Sequence, residues 1–311
     1  MIDALSKAVF GTLAGSATLK RVASRYGMRG QGGFARRFVA GETIDEAIGA
    51  ARAVEAQGLA QTLDLLGESV ASEAEARAAA EAYLAMMPRI ADAGVGRNIS
   101  IKLTQLGLDL SADLAGAHLR RILARAGELG FFVRIDMENS PYIEATLALF
   151  ESVWREGTTN VGVVLQSALK RSKDDLERVL ALGARVRLVK GAYKEPAAVA
   201  YQSKAEVDDA YVRLMERLLR AGHFPAIATH DPDMIAAARR LATEAGVPQG
   251  AYEFQMLYGV RRDLQQSLRA EGFGMRVYIP YGREWFPYFM RRLGERPANV
   301  GFVLKSLLRE R

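Results

Sequence analysis

Cysteine is absent from the 311 residues. Disulfides, thiolate nucleophiles, iron–sulfur ligation and cysteine-based zinc sites are excluded with it. Histidine is nearly as scarce. His118, His223 and His230 stand far apart, without the spacing of a metal-binding motif. No stretch approaches the roughly 20 apolar residues that a membrane-spanning helix needs. The N-terminus lacks a basic segment followed by a long apolar run, so no signal peptide is expected. Strongly polar and low-complexity tracts are missing as well. With 50% hydrophobic and 25% charged residues, the composition predicts a large folded core rather than disorder.

Two further absences narrow the chemistry. There is no G-x-S-x-G nucleophile elbow, which argues against a serine hydrolase. No G-x-G-x-x-G follows the first strand candidate, which runs into Leu66-Gly67-Glu68-Ser69, and this argues against a doubly wound dinucleotide fold. The run Gly30-Gln31-Gly32-Gly33 does not follow a strand and reads as a joint within Arg25–Gly33, not a phosphate loop. The formal charge of +6 admits an anionic ligand, an anionic lipid surface or nucleic acid. The arginines are spread along the chain rather than interleaved with aromatics, so nucleic acid is not the expected partner.

What the chain does have is a repeating alternation. Short β-branched runs at 59–65, 98–103, 131–136, 160–166, 185–190, 225–229, 251–256 and 275–279 are separated by Ala/Leu/Glu/Arg-rich helical stretches such as 72–93, 113–129, 205–221 and 232–245. Strand–helix alternation predicts a parallel sheet with helices outside, and eight such units over about 250 residues match a closed (β/α)8 barrel. The barrel is expected over residues 59–311. Residues 1–58 read as an N-terminal helical arm, in which Thr43 and Glu46 have the spacing of a capping box.

In a parallel barrel alternate side chains face inward, and the site lies at the C-terminal strand ends. Parity then puts Ser100 and Lys102, Arg134 and Asp136, Gln166, Arg187 with Lys190, Thr229-His230-Asp231, Glu253 with Gln255, and Arg276 with Tyr278 around one polar rim. After the last strand, Trp285-Phe286-Pro287 opens a helix on which Tyr288, Arg291, Arg292 and Glu295 share one face. A surface salt bridge from Glu295 to either arginine is the bland interpretation. Two guanidinium forks beside Tyr278 and Tyr288 also suit a carboxylate carried on an apolar ring. On these residues alone, three readings stay open. One is redox chemistry, which without cysteine or metal calls for an organic cofactor. Another is a Schiff-base lyase using Lys102 or Lys190, with its pKa lowered by neighbouring cations. The third is a basic membrane- or nucleic-acid-binding module.

The motifs Ile101-Lys102-Leu103, Ile135-Asp136-Met137-Glu138, Arg187-Leu-Val-Lys-Gly-Ala-Tyr193, Ala228-Thr229-His230 and Tyr288-x-x-Arg291-Arg292-x-x-Glu295 go further. Together they make the chain resemble the proline dehydrogenase family, in its short single-function bacterial form, from Arg37 to Asn299. The resemblance implies a distorted (β/α)8 barrel that binds FAD and oxidises L-proline to Δ1-pyrroline-5-carboxylate, the first step of proline degradation to glutamate. It implies hydride transfer from C5 to flavin N5 and delivery of electrons to a quinone. A cytoplasmic location follows, with peripheral contact at the inner face of the cell membrane. It implies that Arg291, Arg292 and Lys102 hold the substrate carboxylate and that Tyr278, Tyr288 and Leu257 enclose its ring. Asp136 is implied beside substrate and flavin, holding Lys102 or Tyr278, with Arg187 at the N5 edge. Met137 and Gln166 are implied against the isoalloxazine. Lys190, Gly191, Ala192, Thr229 and His230 are implied along the rest of the cofactor, and Glu295 is implied to orient an arginine.

Overall fold

The computed structural model describes Met28 and residues 33–295, apart from the side chains of Phe34 and Glu295. Most of the expected arm, including residues 1–27 and the Gly30–Gly32 part of the joint, lies outside the described residues. The strands are β1 (Ala60–Leu65), β2 (Asn98–Ile101), β3 (Phe132–Ile135), β4 (Val161–Gln166), β5 (Arg185–Val189), β6 (Ala226–Ala228), β7 (Glu253–Leu257) and β8 (Gly274–Tyr281). Each pairs in parallel with the next, and β8 returns to β1, so the sheet closes into a barrel in sequence order. The (β/α)8 expectation is met.

Helix α1 (Ile44–Glu55) precedes the barrel, α2 (Glu73–Asp92), α3 (Ala112–Glu128), α4 (Ile143–Arg155), α5 (Ser172–Ala181), α6 (Lys204–Ala221), α7 (Pro232–Glu244) and α8 (Arg262–Ala270) lie between its strands, and α9 (Trp285–Glu295) follows β8. Their starts are written in the sequence as caps. Ser72, Ser111, Ser203 and Asp231 each accept a backbone N–H of the first turn that has no helical partner. The outward strand residues Leu63, Ile99, Ile101, Val133, Ile135, Val163, Leu188 and Phe254 are fully buried against the helix layer and form the main apolar core.

The interior of the barrel differs from the usual layers of branched aliphatics. Thr62, Asp64, Ser100, Arg134, Gln166, Arg187, Glu253 and Gln255 are all buried there. Such groups are tolerated because they satisfy one another. Arg134 Nη1 donates to the carbonyls of Val163 and Arg185, at 3.2 and 2.6 Å, and its guanidinium lies over Phe132. Gly162 makes this possible, since a Cβ there would stand 2.6 Å from Arg134 Nη1 and 2.5 Å from the Arg185 carbonyl oxygen.

A second, smaller core joins the described part of the arm to α9. Met28, Ala35, Phe38 and Val39 pack with Leu66, Trp285, Phe286, Phe289 and Leu293. Trp285 Nε1 also donates to Glu42 at 2.9 Å. The helix that carries Arg291 and Arg292 is thus seated on residues from before the barrel.

The Thr43–Glu46 capping box is present. Glu46 Oε2 accepts from the amides of Glu42 and Thr43, and Oε1 accepts from Arg36 at 2.5 Å. Partial burial pushes this carboxyl up, but Arg36 and the hydrogen bonds outweigh burial and hold it at about 2. A carboxyl lowered in the fold contributes stability that is complete above its unfolded value near 4.3 and is lost as pH falls toward 2. Glu46→Gln is therefore expected to cost about 1 kcal/mol at neutral pH. In urea titrations over pH 7 to 2, the difference from the parent should shrink across the acid limb. A difference independent of pH would contradict this account of the cap.

Candidate active site

The C-terminal mouth of the barrel holds a cavity of about 440 Å³. Every residue that the family resemblance implies at the site lines it except Glu295, whose side chain lies outside the described residues. Its outer lip at Gly191 and Ala192 is exposed, whereas Arg187, Gln166 and Gln255 at its floor are buried.

The floor is organised around Arg187. Its Nε donates to Gln255 Oε1 at 2.6 Å, its Nη1 donates to Asp136 Oδ1 at 2.7 Å, and both terminal nitrogens reach Ser100 Oγ at 3.2 Å. The guanidinium lies 5.2 Å from the centre of the Tyr278 ring. Tyr278 in turn donates to Asp136 Oδ2 at 2.6 Å. Asp136 thus bridges Arg187 and Tyr278. Burial, with Asp136 alongside, pushes the Tyr278 hydroxyl far above its ordinary range, so it stays a neutral donor. Of the two partners expected for Asp136, the hydrogen bond goes to Tyr278.

Lys102 lies just past the end of β2 and is paired with Asp64, with Nζ 3.4 Å from Oδ1. Asp64 is 1% exposed, and its Oδ2 has no hydrogen-bond partner among the described residues. Burial alone lowers the Lys102 ammonium, but Asp64 and Asp136 outweigh it and hold it above its ordinary value. This corrects one expectation. Carboxylates, not cations, govern Lys102, so it stays charged and is a poor amine nucleophile. Lys190 is likewise engaged, 2.5 Å from Asp208 on α6 and 2.7 Å from Asp231 at the cap of α7. Neither lysine has the setting that a Schiff-base lyase needs.

On α9, Tyr288, Arg291 and Arg292 all face the cavity, and the Arg292 guanidinium lies 5.1 Å from the Tyr288 ring centre. Arg291 Nη1 donates to Glu68 at 2.7 Å. Burial lowers the Arg291 guanidinium, and Glu68 more than offsets that. Lys102, Tyr288 and Arg291 also line a second cavity of about 410 Å³, so they form a wall shared by both.

At the far side, His230 Nε2 accepts the amide of Leu257 at 2.9 Å, which puts the ring proton on Nδ1. Gln166 Nε2 donates to the Glu138 carbonyl at 2.7 Å. Gly191 has φ +115°, and a Cβ there would come within 2.8 Å of Gln166 Oε1, so the backbone runs close to the cavity floor where no side chain fits.

The rim is not composed as expected in one respect. Ser100, hydrogen-bonded to Arg187, does not line the mouth, and neither do Arg134, Glu253 and Arg276. Those last three sit one layer deeper, where Arg276 Nε donates to Glu253 Oε1 at 2.8 Å and its Nη1 to the Gln61 carbonyl at 2.7 Å. Alternation gives the face of a strand but not the depth, and these residues precede the strand ends. Sequence reading also missed Asp64, Glu68 and Asp208. Asp64 shares the inward parity of Thr62 on β1, a signal that was available. Glu68 and Asp208 reach the site from a loop and a helix, and no local pattern marks them.

The family model described as proline dehydrogenase matches residues 47–305. Proline dehydrogenase 1 of Bacillus subtilis (strain 168) is 44% identical over 302 residues, which span 97% of this chain and 99% of that relative. The proline dehydrogenase of Deinococcus radiodurans is 44% identical over 279 residues, covering 88% and 90%. Among solved structures, proline utilization A (PutA) from Bdellovibrio bacteriovorus, inactivated by N-propargylglycine, superposes with a TM-score of 0.79 at 29% identity over 84% of this chain. This chain spans only 32% of that longer one. A matched family model over most of the sequence, near full-length relatives and the shared barrel lead to one conclusion: the chain belongs to the proline dehydrogenase family.

Proposed function

We propose that the chain oxidises L-proline to Δ1-pyrroline-5-carboxylate with a bound FAD, opening proline degradation, and that it hands the electrons to a quinone. The observation that carries this reading is the convergence, in one cavity, of Arg291, Arg292 and Lys102 with the ring-packing surfaces of Tyr278, Tyr288 and Leu257, above the buried Arg187–Asp136 pair. The cations suit a carboxylate, and the aromatic and aliphatic surfaces suit a small saturated ring.

The residues present fit a flavin nucleotide. Gly191 leaves room where a Cβ would collide with Gln166, and Arg187, Lys190, Thr229 and His230 offer donors along the cavity for electron-rich ring edges and phosphate oxygens. In this reading Met137 and Gln166 would contact the isoalloxazine, and Arg187 would approach its N5 edge. Lys190, Gly191, Ala192, Thr229 and His230 would hold the rest of the cofactor. When bound, FAD would supply the two-electron acceptor for the hydride that leaves C5 of proline.

The protein's own contribution is mostly placement. Arg291 and Arg292 grip the carboxylate, and the charged Lys102 adds a third contact, so the ring is held in one orientation. Asp136 already accepts from Arg187 and Tyr278, so we assign it the task of fixing those two side chains rather than that of a base. Tyr278 remains a neutral hydroxyl and closes the pocket over the ring. With proline bound as its neutral amine, the nitrogen lone pair completes the C=N bond as the C5–H bond yields hydride, and the resulting iminium releases its proton to water. The charged Arg187 favours negative charge accumulating beside it.

We read residues 59–311 as the unit that binds both ligands and residues 1–58 as an N-terminal arm, of which Ala35, Phe38 and Val39 pack with α9. Among the described residues no helix is long and apolar enough to cross a membrane. Electron delivery to a quinone then calls for peripheral contact with the membrane surface, a reading supported by the net charge of +6.

The purified protein should be yellow, and proline should bleach its visible flavin band without oxygen. Protein that neither retains nor takes up FAD would sink the flavin reading. Arg291→Met and Arg292→Met should each keep the flavin and raise KM for proline by about tenfold or more, because each removes a charge-assisted contact worth about 1.5–3 kcal/mol. Unchanged KM in both variants would rule out the carboxylate clamp.

A further inference from the structure

One partner of Arg187 is itself held from below. Gln255 Oε1 accepts from Arg187 Nε at 2.6 Å, and Gln255 Nε2 donates to Glu253 Oε1 at 2.6 Å. The two ends of this amide are not interchangeable. The guanidinium above can only donate, and a carboxylate below can only accept. Glu253 is anchored in turn, since its Oε1 also accepts from Arg276 Nε at 2.8 Å, and Arg276 is tied to the Gln61 carbonyl. Burial raises the Glu253 carboxyl, but Arg276 outweighs it and keeps the group an anion. Glu253, Gln255 and Arg187 are 7%, 4% and 4% exposed, so water does not compete freely for these bonds.

We propose that Glu253, outside the cavity on the layer beneath it, is a positioning residue for proline oxidation: it fixes the Gln255 amide with its oxygen toward Arg187 and so aims the guanidinium at the reacting centre. This rests on the reading of Arg187 as the group facing the flavin. With the amide reversed, an NH2 would oppose the Arg187 N–H, and one of the fork's charged hydrogen bonds would be lost. The other two attachments, at Asp136 and Ser100, are both made through the terminal nitrogens, at the end of the fork away from Nε. Gln255 holds the opposite side, so without it the guanidinium can pivot.

The inference is tested on the FAD-loaded full-length enzyme with Glu253→Gln, Gln255→Met and the double variant. Glu253→Gln keeps the shape and an acceptor for Arg276, so it is expected to fold, but its own amide can turn and no longer dictates that of Gln255. Three quantities are read: the single-turnover rate of flavin reduction by proline, the Kd for proline, and the midpoint potential of the bound flavin measured against reference dyes. Gln255→Met should slow reduction by about tenfold or more and lower the potential. Its proline Kd should stay within about twofold, because the carboxylate clamp is untouched. Glu253→Gln should shift rate and potential in the same direction by less, and should add nothing in the Gln255→Met background. A Glu253→Gln effect of equal size in both backgrounds would mark a merely structural role and overturn the proposal. A normal rate and potential in Gln255→Met would overturn it as well. In either case a proline-reducible flavin in the parent leaves the functional reading standing, whereas a parent that binds no flavin overturns that reading and the proposal with it.

Discussion

The bond between Arg187 and Asp136 is the constraint around which the mouth of this barrel is built. A guanidinium that is 4% exposed is expensive to bury unless its donors are satisfied. Here β5 supplies the arginine, the residue just after β3 is Asp136, β2 supplies Ser100 and β7 supplies Gln255. Four strands are thereby tied across the barrel rather than along its wall. Tyr278 from β8 joins through the second oxygen of Asp136. A ligand in the cavity consequently meets a surface whose polar groups are already oriented, which is the condition for electrostatic assistance without reorganisation.

The layer beneath makes this arrangement possible. Arg134, Glu253 and Arg276 fill the interior where other barrels stack aliphatic side chains, and Gly162 opens the space that Arg134 occupies. Charges of both signs at this depth are stable only as a connected network. That network also gives the functional layer a rigid base. Above it, α9 is pinned by the Trp285–Phe289 side of the small core shared with Phe38 and Val39. Arg291 and Arg292 therefore reach the cavity that Lys102 also lines from a helix whose position is set by packing as well as by the salt bridge to Glu68.

Much of this was legible in the sequence. Period-two alternation, together with the rule that sites lie at C-terminal strand ends, pointed Lys102, Asp136, Gln166, Arg187 and Tyr278 toward one cavity. The three-to-four-residue spacing on the last helix brought Tyr288, Arg291 and Arg292 to the same place. Depth was not legible: Arg134, Glu253 and Arg276 have the right parity but stand a layer too low, because strand stagger and not alternation sets height in a barrel. Pairing was not legible either. Lys102 meets Asp64 across a neighbouring strand, and Lys190 meets Asp208 from a helix, so the charge state of each lysine depends on partners far away in the chain. The strand margins shifted for local reasons. Gln249–Ala251 forms a 3-10 turn, so β7 starts at Glu253, and β8 continues to Tyr281.

The central claim is that these groups hold proline so that its C5–H bond is the one broken. It is tested most directly by mixing the flavin-loaded enzyme, without oxygen, with proline carrying deuterium at C5 or at C2 and following the bleaching in a single turnover. The account predicts a primary isotope effect for deuterium at C5 and none for deuterium at C2. An effect at C2 alone, or bleaching insensitive to both labels when chemistry limits the rate, would contradict it.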